Sequence, residues 1–367
     1  MANTNFPLNH PLANKLWSRK LFYEALKQTY AYKFMGTGDN SLCQILEDTQ
    51  KGPGDKITWG LRLQLTGRGQ TGDNGLEGNE EAMQFFNDAV LIDQQRHAIR
   101  TAGRMSDQRV PYELREEGRQ ALQDWWANLV DTAFFNQLSG NLAQSDTAYT
   151  GNNATLAADT NHLLIAGLAG GTSENSISGG AASLTQCFRL REIDRAVNLA
   201  RTGAIPIRPI MVDGNERYVC FIHENSLYQL RQDASNNFGP GWEQIQIAAM
   251  QGGQVSNNPI FTGAVGMYNN TILHVSARIP TLISASAITA TDGRRNIFCG
   301  AQSLALAFGQ GYGPSKMSWV EKRFDYDNQL GVAAGMIWGM KKAQFNTDGT
   351  ARDFGTIVIP SYAPAVT

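Results

Sequence analysis

From Ile57 the odd positions are apolar, through Trp59, Leu61, Leu63 and Leu65, while Thr58, Gly60, Arg62, Gln64 and Thr66 fill the even ones. A period of two over nine residues predicts a half-buried strand, about 30 Å long at strand rise. Gly67, Gly69, Gly72, Gly75 and Gly78 follow and form a loop tip. The segment 82–99 fits both periods: Ala82, Phe85, Phe86, Ala89 and Ile92 suit a helix, whereas Met83, Phe85, Ala89 and Leu91 alternate. Its place after a glycine-rich reversal favours a strand returning beside the first, which backbone pairing between the two decides. A projecting arm with one apolar face needs a partner.

A long helix follows. Pro111 suits a first turn, Glu113, Glu116 and Glu117 sit where the helix dipole favours acids, and Gly140 suits the stop. That length is about 40 Å. Leu114, Leu122, Trp125, Leu129, Ala133 and Phe134 form one stripe, with Arg119, Gln123, Asn128 and Asp131 largely opposite. Trp125-Trp126 reads as core packing plus a rim contact.

Elsewhere the chain alternates between short elements. Residues 1–13 read as an extended arm and 16–34 as an aromatic-rich helix; a turn at Lys51-Gly52-Pro53-Gly54-Asp55 launches the long strand. Residues 139–183 are rich in Gly, Ala, Ser, Thr and Asn and read as loop. Ser183 with Gln186 forms a capping-box pattern before an apolar face of Leu190, Ile193, Val197 and Ala200, ending at Gly203. A hairpin is expected at 210–223 about Asp213-Gly214-Asn215, then short helices at 225–232, 241–250 and 303–308. Strands are expected at 259–279, 296–298, 332–338 and 356–359. The sum is an α+β chain with helices over mostly antiparallel sheets.

Charge is nearly balanced, with 31 basic and 33 acidic residues, and no basic run marks a phosphate-backbone site. Cys43, Cys187, Cys220 and Cys299 lie far apart, which suits small buried hydrophobes rather than a zinc site or disulfide framework. No targeting pattern opens the chain and about eighteen apolar residues never run together, so synthesis in the cytosol and no membrane span are expected. No cofactor and no metal are expected either. His10, His97, His162, His223 and His274 lack metal spacing, and Asp325-Tyr326-Asp327-Asn328 lacks the distal Glu of a calcium loop and reads as a turn. Gly67-Arg68-Gly69-Gln70-Thr71-Gly72 matches a dinucleotide-binding pattern, but Asp73, Asn74, Gly75 and Gly78 stand where a helix should open.

The order of several segments resembles the major capsid proteins of coliphage N-four-like tailed phages. These are Leu16-Trp17-Ser18-Arg19-Lys20-Leu21-Phe22-Tyr23, Phe34-Met35-Gly36, Lys51-Gly52-Pro53-Gly54-Asp55-Lys56-Ile57, Leu76-Glu77-Gly78-Asn79-Glu80-Glu81, residues 120–131, Asn258-Pro259-Ile260-Phe261-Thr262-Gly263-Ala264 and Gly300-Ala301-Gln302. The resemblance implies a Hong Kong 97-type capsid fold: an N-terminal arm and helix at 1–33, an extended two-stranded loop at 55–102, and a peripheral domain at 103–204. That domain holds a spine helix at 108–138 and a Gly/Ser-rich insertion at 139–183. An axial domain at 205–320 and peripheral strands at 321–367 complete it.

It also implies an icosahedral head shell of hexamers and pentamers around packaged double-stranded DNA, contacted without sequence preference. Implied partners are the chain itself, a separate scaffolding protein, a portal and decoration proteins. The implied inter-subunit residues are Ile57, Trp59, Leu61, Leu63, Leu65, Arg68, Glu77, Glu80 and Glu81 of the loop, and Leu16, Trp17, Phe22 and Tyr23 of the arm. Leu122, Trp125, Trp126 and Leu129 pack the spine. The competing classes are a nanocompartment shell of the same fold and a nucleotide-dependent enzyme using residues 67–72.

Overall fold

The computed structural model describes residues 25, 28–47, 56–62, 68–72, 77–78, 80–83, 85–109, 111, 113–168, 173–177, 185–203, 205–212, 214–232, 266–284, 288–309, 316–346 and 350–365, with only the backbone of 47, 61, 62 and 232. Its strands are β1 (Met35–Gly36), β2 (Cys43–Glu47), β3 (Lys56–Arg62), β4 (Phe85–Leu91), β5 (Asp93–Arg100), β6 (Ile210–Val212), β7 (Asn215–Ile222), β8 (Gly266–Tyr268), β9 (Thr271–Val275), β10 (Gly293–Cys299), β11 (Leu304–Phe308), β12 (Met317–Phe324), β13 (Gln329–Lys342), β14 (Gln344–Asn346), β15 (Ala351–Asp353) and β16 (Thr356–Tyr362). The α-helices are α1 (Arg104–Arg109), α2 (Leu114–Ser139), α3 (Leu190–Thr202) and α4 (Glu224–Gln232).

Two six-stranded sheets organise the chain. The first runs β1-β2-β11-β13-β12, with β5 on β13; the second runs β16-β10-β7-β9-β8, with β6 on β7. Most pairs are antiparallel, as expected, but β1–β2, β2–β11 and β7–β9 are parallel. Because Trp338 of β13 pairs with both Phe308 and Asp93, and Gly331 to Met336 pair with both β12 and β5, strands β11 and β12 share one side of β13 and β5 takes the other.

α2 lies on the first sheet and reaches the second. Leu122, Trp126, Leu129, Phe134 and Phe135 are buried in one core with Val332, Ala334, Met336, Trp338 and Met340 of β13 and with Val219 and Phe221 of β7. The helix ends as expected: Gly140 takes φ +64, and its N–H bonds the Asn136 and Gln137 carbonyls. Its start differs. Pro111 precedes the helix, α1 is separate, and α2 begins at Leu114.

The polar stripe also differs, because Arg119 and Asp131 are buried. Arg119 pairs with Glu116 one turn earlier. Asp131 accepts from the N–H groups of Tyr30 (3.1 Å) and Ala31 (3.0 Å) and from Arg278 Nη1 at 2.6 Å. Burial raises its pKa, against those donors. These bonds dock a 3-10 turn, Tyr30–Phe34, where the sequence predicts a continuing helix; Thr29 is extended, at φ −67 and ψ 127, and breaks it.

Three further expectations need correction. Residues 304–308 form a strand, not a helix: all five side chains of Leu-Ala-Leu-Ala-Phe are buried, so neither period is visible in them. α3 begins at Leu190, seven residues after the capping-box serine, and stops at Gly203 as expected. Segment 139–183, read as loop, has little regular structure among its described residues but contributes to the interior, since Thr150, Asn153, Asp159, His162, Ile165 and Glu174 are buried. The two sheets cut across the expected segments: β5, β11 and β12 belong to the first sheet, and β16 joins the second. The expected helix at 241–250 and most of the 259–279 strands lie outside the described residues.

Candidate assembly site

The returning segment is a strand, and it pairs with the first. β3 and β4 form a separate two-stranded ribbon in antiparallel register, with Ile57 opposite Val90, Trp59 opposite Asp88 and Leu61 opposite Phe86. The tip beyond it is open. Arg68, Glu77, Glu80, Glu81 and Met83 are exposed, and among the described residues Gly69, Gly72 and Gly78 have no neighbouring atom within 4 Å of where a side chain would start. Their φ angles of +68, +71 and +85 suit glycine. Glu80 accepts from the Gly78 N–H at 2.8 Å. Among the described residues 68–72 and 77–78 none is helical, whereas the nucleotide pattern needs a helix to open there.

The ribbon's base is fastened to its own subunit. Val90 is fully buried with Ala305 and Ala307 of β11, and Ile57, Trp59 and Ile92 pack against them. Trp59 also meets Phe345 edge-on, ring centroids 6.3 Å apart. Ile57 and Trp59, two of the five residues of the expected apolar row, therefore spend part of their surface within the chain.

Where β4 passes into β5, the backbone crosses β13 at Gly339: a Cβ there would lie 1.9 Å from the Leu91 carbonyl oxygen. Asn153 grips the same residue. Its Oδ1 accepts from Leu91 N and its Nδ2 donates to Leu91 O, both at 2.9 Å. That side chain acts as a one-residue strand partner, satisfying backbone groups the ribbon leaves unpaired. Lys341 forms an ion pair with Asp88, whose other oxygen accepts from Gln344 N at 3.3 Å.

The remaining expected residues divide. Leu122, Trp126 and Leu129 are core residues, while Trp125 is half-buried, stacked on His97 at 4.4 Å and edge-on to Trp126 at 5.0 Å. Leu63, Leu65, Leu16, Trp17, Phe22 and Tyr23 lie outside the described residues. Sequence reasoning missed Asn153, Gly339 and Lys341; the only signal was an Asn-Asn pair inside a segment read as loop. The four cysteines are buried and form no disulfide, with burial pushing the Cys43 and Cys220 thiols far up. Among the described residues, no group of three His, Cys, Asp or Glu side chains is placed to hold a metal.

An exposed, glycine-jointed arm fixed at its base suits a subunit that links to copies of itself. Residues 5–365 match the family model described as phage capsid protein. The chain belongs to the phage capsid protein family. The major capsid protein of Pseudomonas phage KPP25 is 30% identical over 381 residues, covering 96% of each chain. The capsid of Ralstonia phage GP4 superposes with a TM-score of 0.76 at 33% identity, over 100% of both chains. The capsid of Cyanophage Pam1, at 19% identity and a TM-score of 0.69, covers 93% of this chain and 94% of its own and shares the fold.

This capsid subunit is therefore a major capsid protein with a Hong Kong 97-type fold that self-assembles into the phage head shell. It is a structural protein, not an enzyme.

Proposed function

We propose that the subunit tiles the shell as hexamers and pentamers through its arm, with residues 63–84 reaching over an adjoining subunit. The observation that carries this is the contrast within the arm, between a base fastened by Gly339, Asn153 and Lys341 and a tip whose described side chains stand in solvent. In this reading Leu61, Leu63, Leu65, Arg68, Glu77, Glu80 and Glu81 contact the neighbour, and Ile57 and Trp59 share their surface between the two subunits. α2 is the spine, the first sheet the peripheral domain and the second the axial domain. Residues 1–24, with Leu16, Trp17, Phe22 and Tyr23, form a second linking arm, fixed where Asp131 holds Tyr30 and Ala31.

The glycine tip lets one sequence serve both five-fold and six-fold positions, and head-to-tail contacts close the rings. The shell gains strength by repetition of modest contacts, each offset by association costs. Synthesis occurs in the host bacterial cytoplasm, a separate scaffolding protein, a portal and decoration proteins take part, and packaged double-stranded DNA is contacted non-specifically. Within the family, the N-four-like group fits best, on the segments quoted above. Negative-stain electron microscopy with light scattering tests the arm. Rings, sheets or shells should form from the full chain and be lost on deletion of residues 67–78; shells that persist without the tip would sink this reading.

A further inference from the structure

The face of the first sheet turned away from α2 is only half covered. On that face β13 presents Gly331, Ala333, Gly335, Ile337, Gly339 and Lys341, the alternate positions to those buried under α2. At the Gly339 end the chain's own ribbon lies on it, through Val90, Ile57 and Trp59 on Ala305 and Ala307. At the Gly331 end nothing among the described residues covers the flanking strands: Arg96, Ala98, Arg100, Val320 and Lys322 are all exposed.

The register fixes which side chains share that bare half. Gly331 pairs with Arg100 and Lys322, Ala333 with Ala98 and Val320, and Gly335 with Arg96 and Ser318. The three strands thus place three cations and no carboxylate there. Arg96 lays its stem across Gly335, and the Phe324 ring covers Gly331 with Arg100 at 4.4 Å and Lys322 at 5.1 Å from its centroid. Nearby acids are committed elsewhere: Glu321 points to the other face, where Arg115 holds it at 2.7 Å, and Asp327 lies 3.6 Å from Arg323. Val320, 53% exposed, makes the patch part apolar.

We propose that this basic half-face is the seat for the acidic arm tip of a neighbouring copy, an inference that rests on the arm-linked reading above. Between residues 67 and 83 the tip carries Asp73, Glu77, Glu80 and Glu81 against a single Arg68, and it leads into the exposed Met83 (57%) and Phe85 (64%). Charge and apolar surface therefore match on both sides, whereas a nucleic-acid backbone would match the cations alone. The seat also continues a surface that already binds an arm, the chain's own, at its other end. Its own tip does not occupy it, since the described tip side chains are exposed and the cations stand in solvent.

Charge exchange in the full-length chain, read by light scattering and electron microscopy, tests the proposal. Arg100→Glu with Lys322→Glu, and separately Glu77→Lys with Glu80→Lys, should each cut shell yield about tenfold through like-charge opposition, and the four changes together should recover most of it. Raising salt should weaken assembly of the parent chain and relieve the defect of each half-swapped variant. Unchanged melting of the variants before assembly separates the effect from misfolding. Two reversed variants that assemble like the parent, or a combined variant no better than either half, overturn the seat. So does a reversed face that leaves shell yield intact while lowering the DNA retained, which would assign the patch to the genome. Deletion of residues 67–78 separates the two readings: if it abolishes assembly while the reversals do not, the arm stands and the seat falls; if it changes nothing, both fall.

Discussion

The two sheets are built of similar strands but differ in how completely the chain covers them. The second sheet is sandwiched by its own helices. Tyr218, Cys220 and Ile222 on one side of β7 meet Ile193 and Val197 of α3 and Leu227 and Leu230 of α4; Val219 and Phe221 on the other side meet Phe134 and Phe135 of α2. The first sheet has α2 on one face and, on the other, a ribbon base beside a bare basic half. The centre of the second sheet is buried on both faces within the subunit, while the first keeps surface in reserve. In the seat proposed above, the uncovered face is the one that links subunits.

The sharpest way to break this contrast is at the arm's base. Gly339→Val should destabilise the subunit by about 3 kcal/mol, because the new side chain meets the Leu91 carbonyl and β4 must lift from β13. Urea unfolding of the unassembled subunit measures it, and a loss under about 1 kcal/mol would mean the crossing has slack that the close approach hides. Asn153→Ala comes next. It removes both part-buried bonds to Leu91, for about 1–3 kcal/mol. Limited proteolysis should then cut near residues 91–93, and a variant as resistant as the parent would show that the base holds without the clamp.

The second sheet offers a pH test. His223 precedes α4, where its Nδ1 accepts from the Asn225 N–H at 3.0 Å, a bond only the unprotonated ring can accept. Burial first, and the Arg294 charge second, push its pKa down to about 4 from the usual 6.5. A histidine depressed on folding favours the folded state fully above pH 6.5 and loses that contribution as pH falls toward 4. After allowing for solvent screening of the ring, the loss reaches about 2–3 kcal/mol at the acid end. His223→Asn keeps a helix-capping acceptor that does not titrate, so its stability should stay flatter than the parent's between pH 6.5 and 4. Parallel curves would place the titration elsewhere.

Much of the fold is legible in the amino-acid sequence, and the failures have physical causes. The ribbon, the 210–222 hairpin, the stop of α2 at Gly140 and the stop of α3 at Gly203 all rest on local signals: alternation, tight turns and glycine at a helix end. β11 escapes a reading by period because a strand buried on both faces has no polar positions to reveal it. Arg119 and Asp131 read as outward-facing because helical spacing says where a side chain points but not which charges find partners. The basic half-face is invisible for another reason. Arg96 and Arg100 stand more than two hundred residues from Lys322 along the chain, and only the antiparallel register brings them to one face. A chain without a basic run can still carry a basic surface.

The smallest expected effect on the subunit is at that surface. Lys322→Ala removes an exposed charge whose nearest partner is the Phe324 ring, so unfolding should change by less than about 0.5 kcal/mol. Gly335→Leu, on the same face, is a stronger trial of whether the floor must stay thin, because its Cβ would fall 2.7 Å from the Arg96 stem and 3.0 Å from Ser318 Oγ. A flexible stem can move aside, so the subunit should lose only about 1 kcal/mol. Both variants should nevertheless reduce shell yield well beyond what their stability implies, since one removes charge from the seat and the other raises its floor. If shell yield tracked stability alone for these two, as it should for Val219→Ala in the buried centre of the second sheet, the distinction between a covered and an uncovered face would have no functional content.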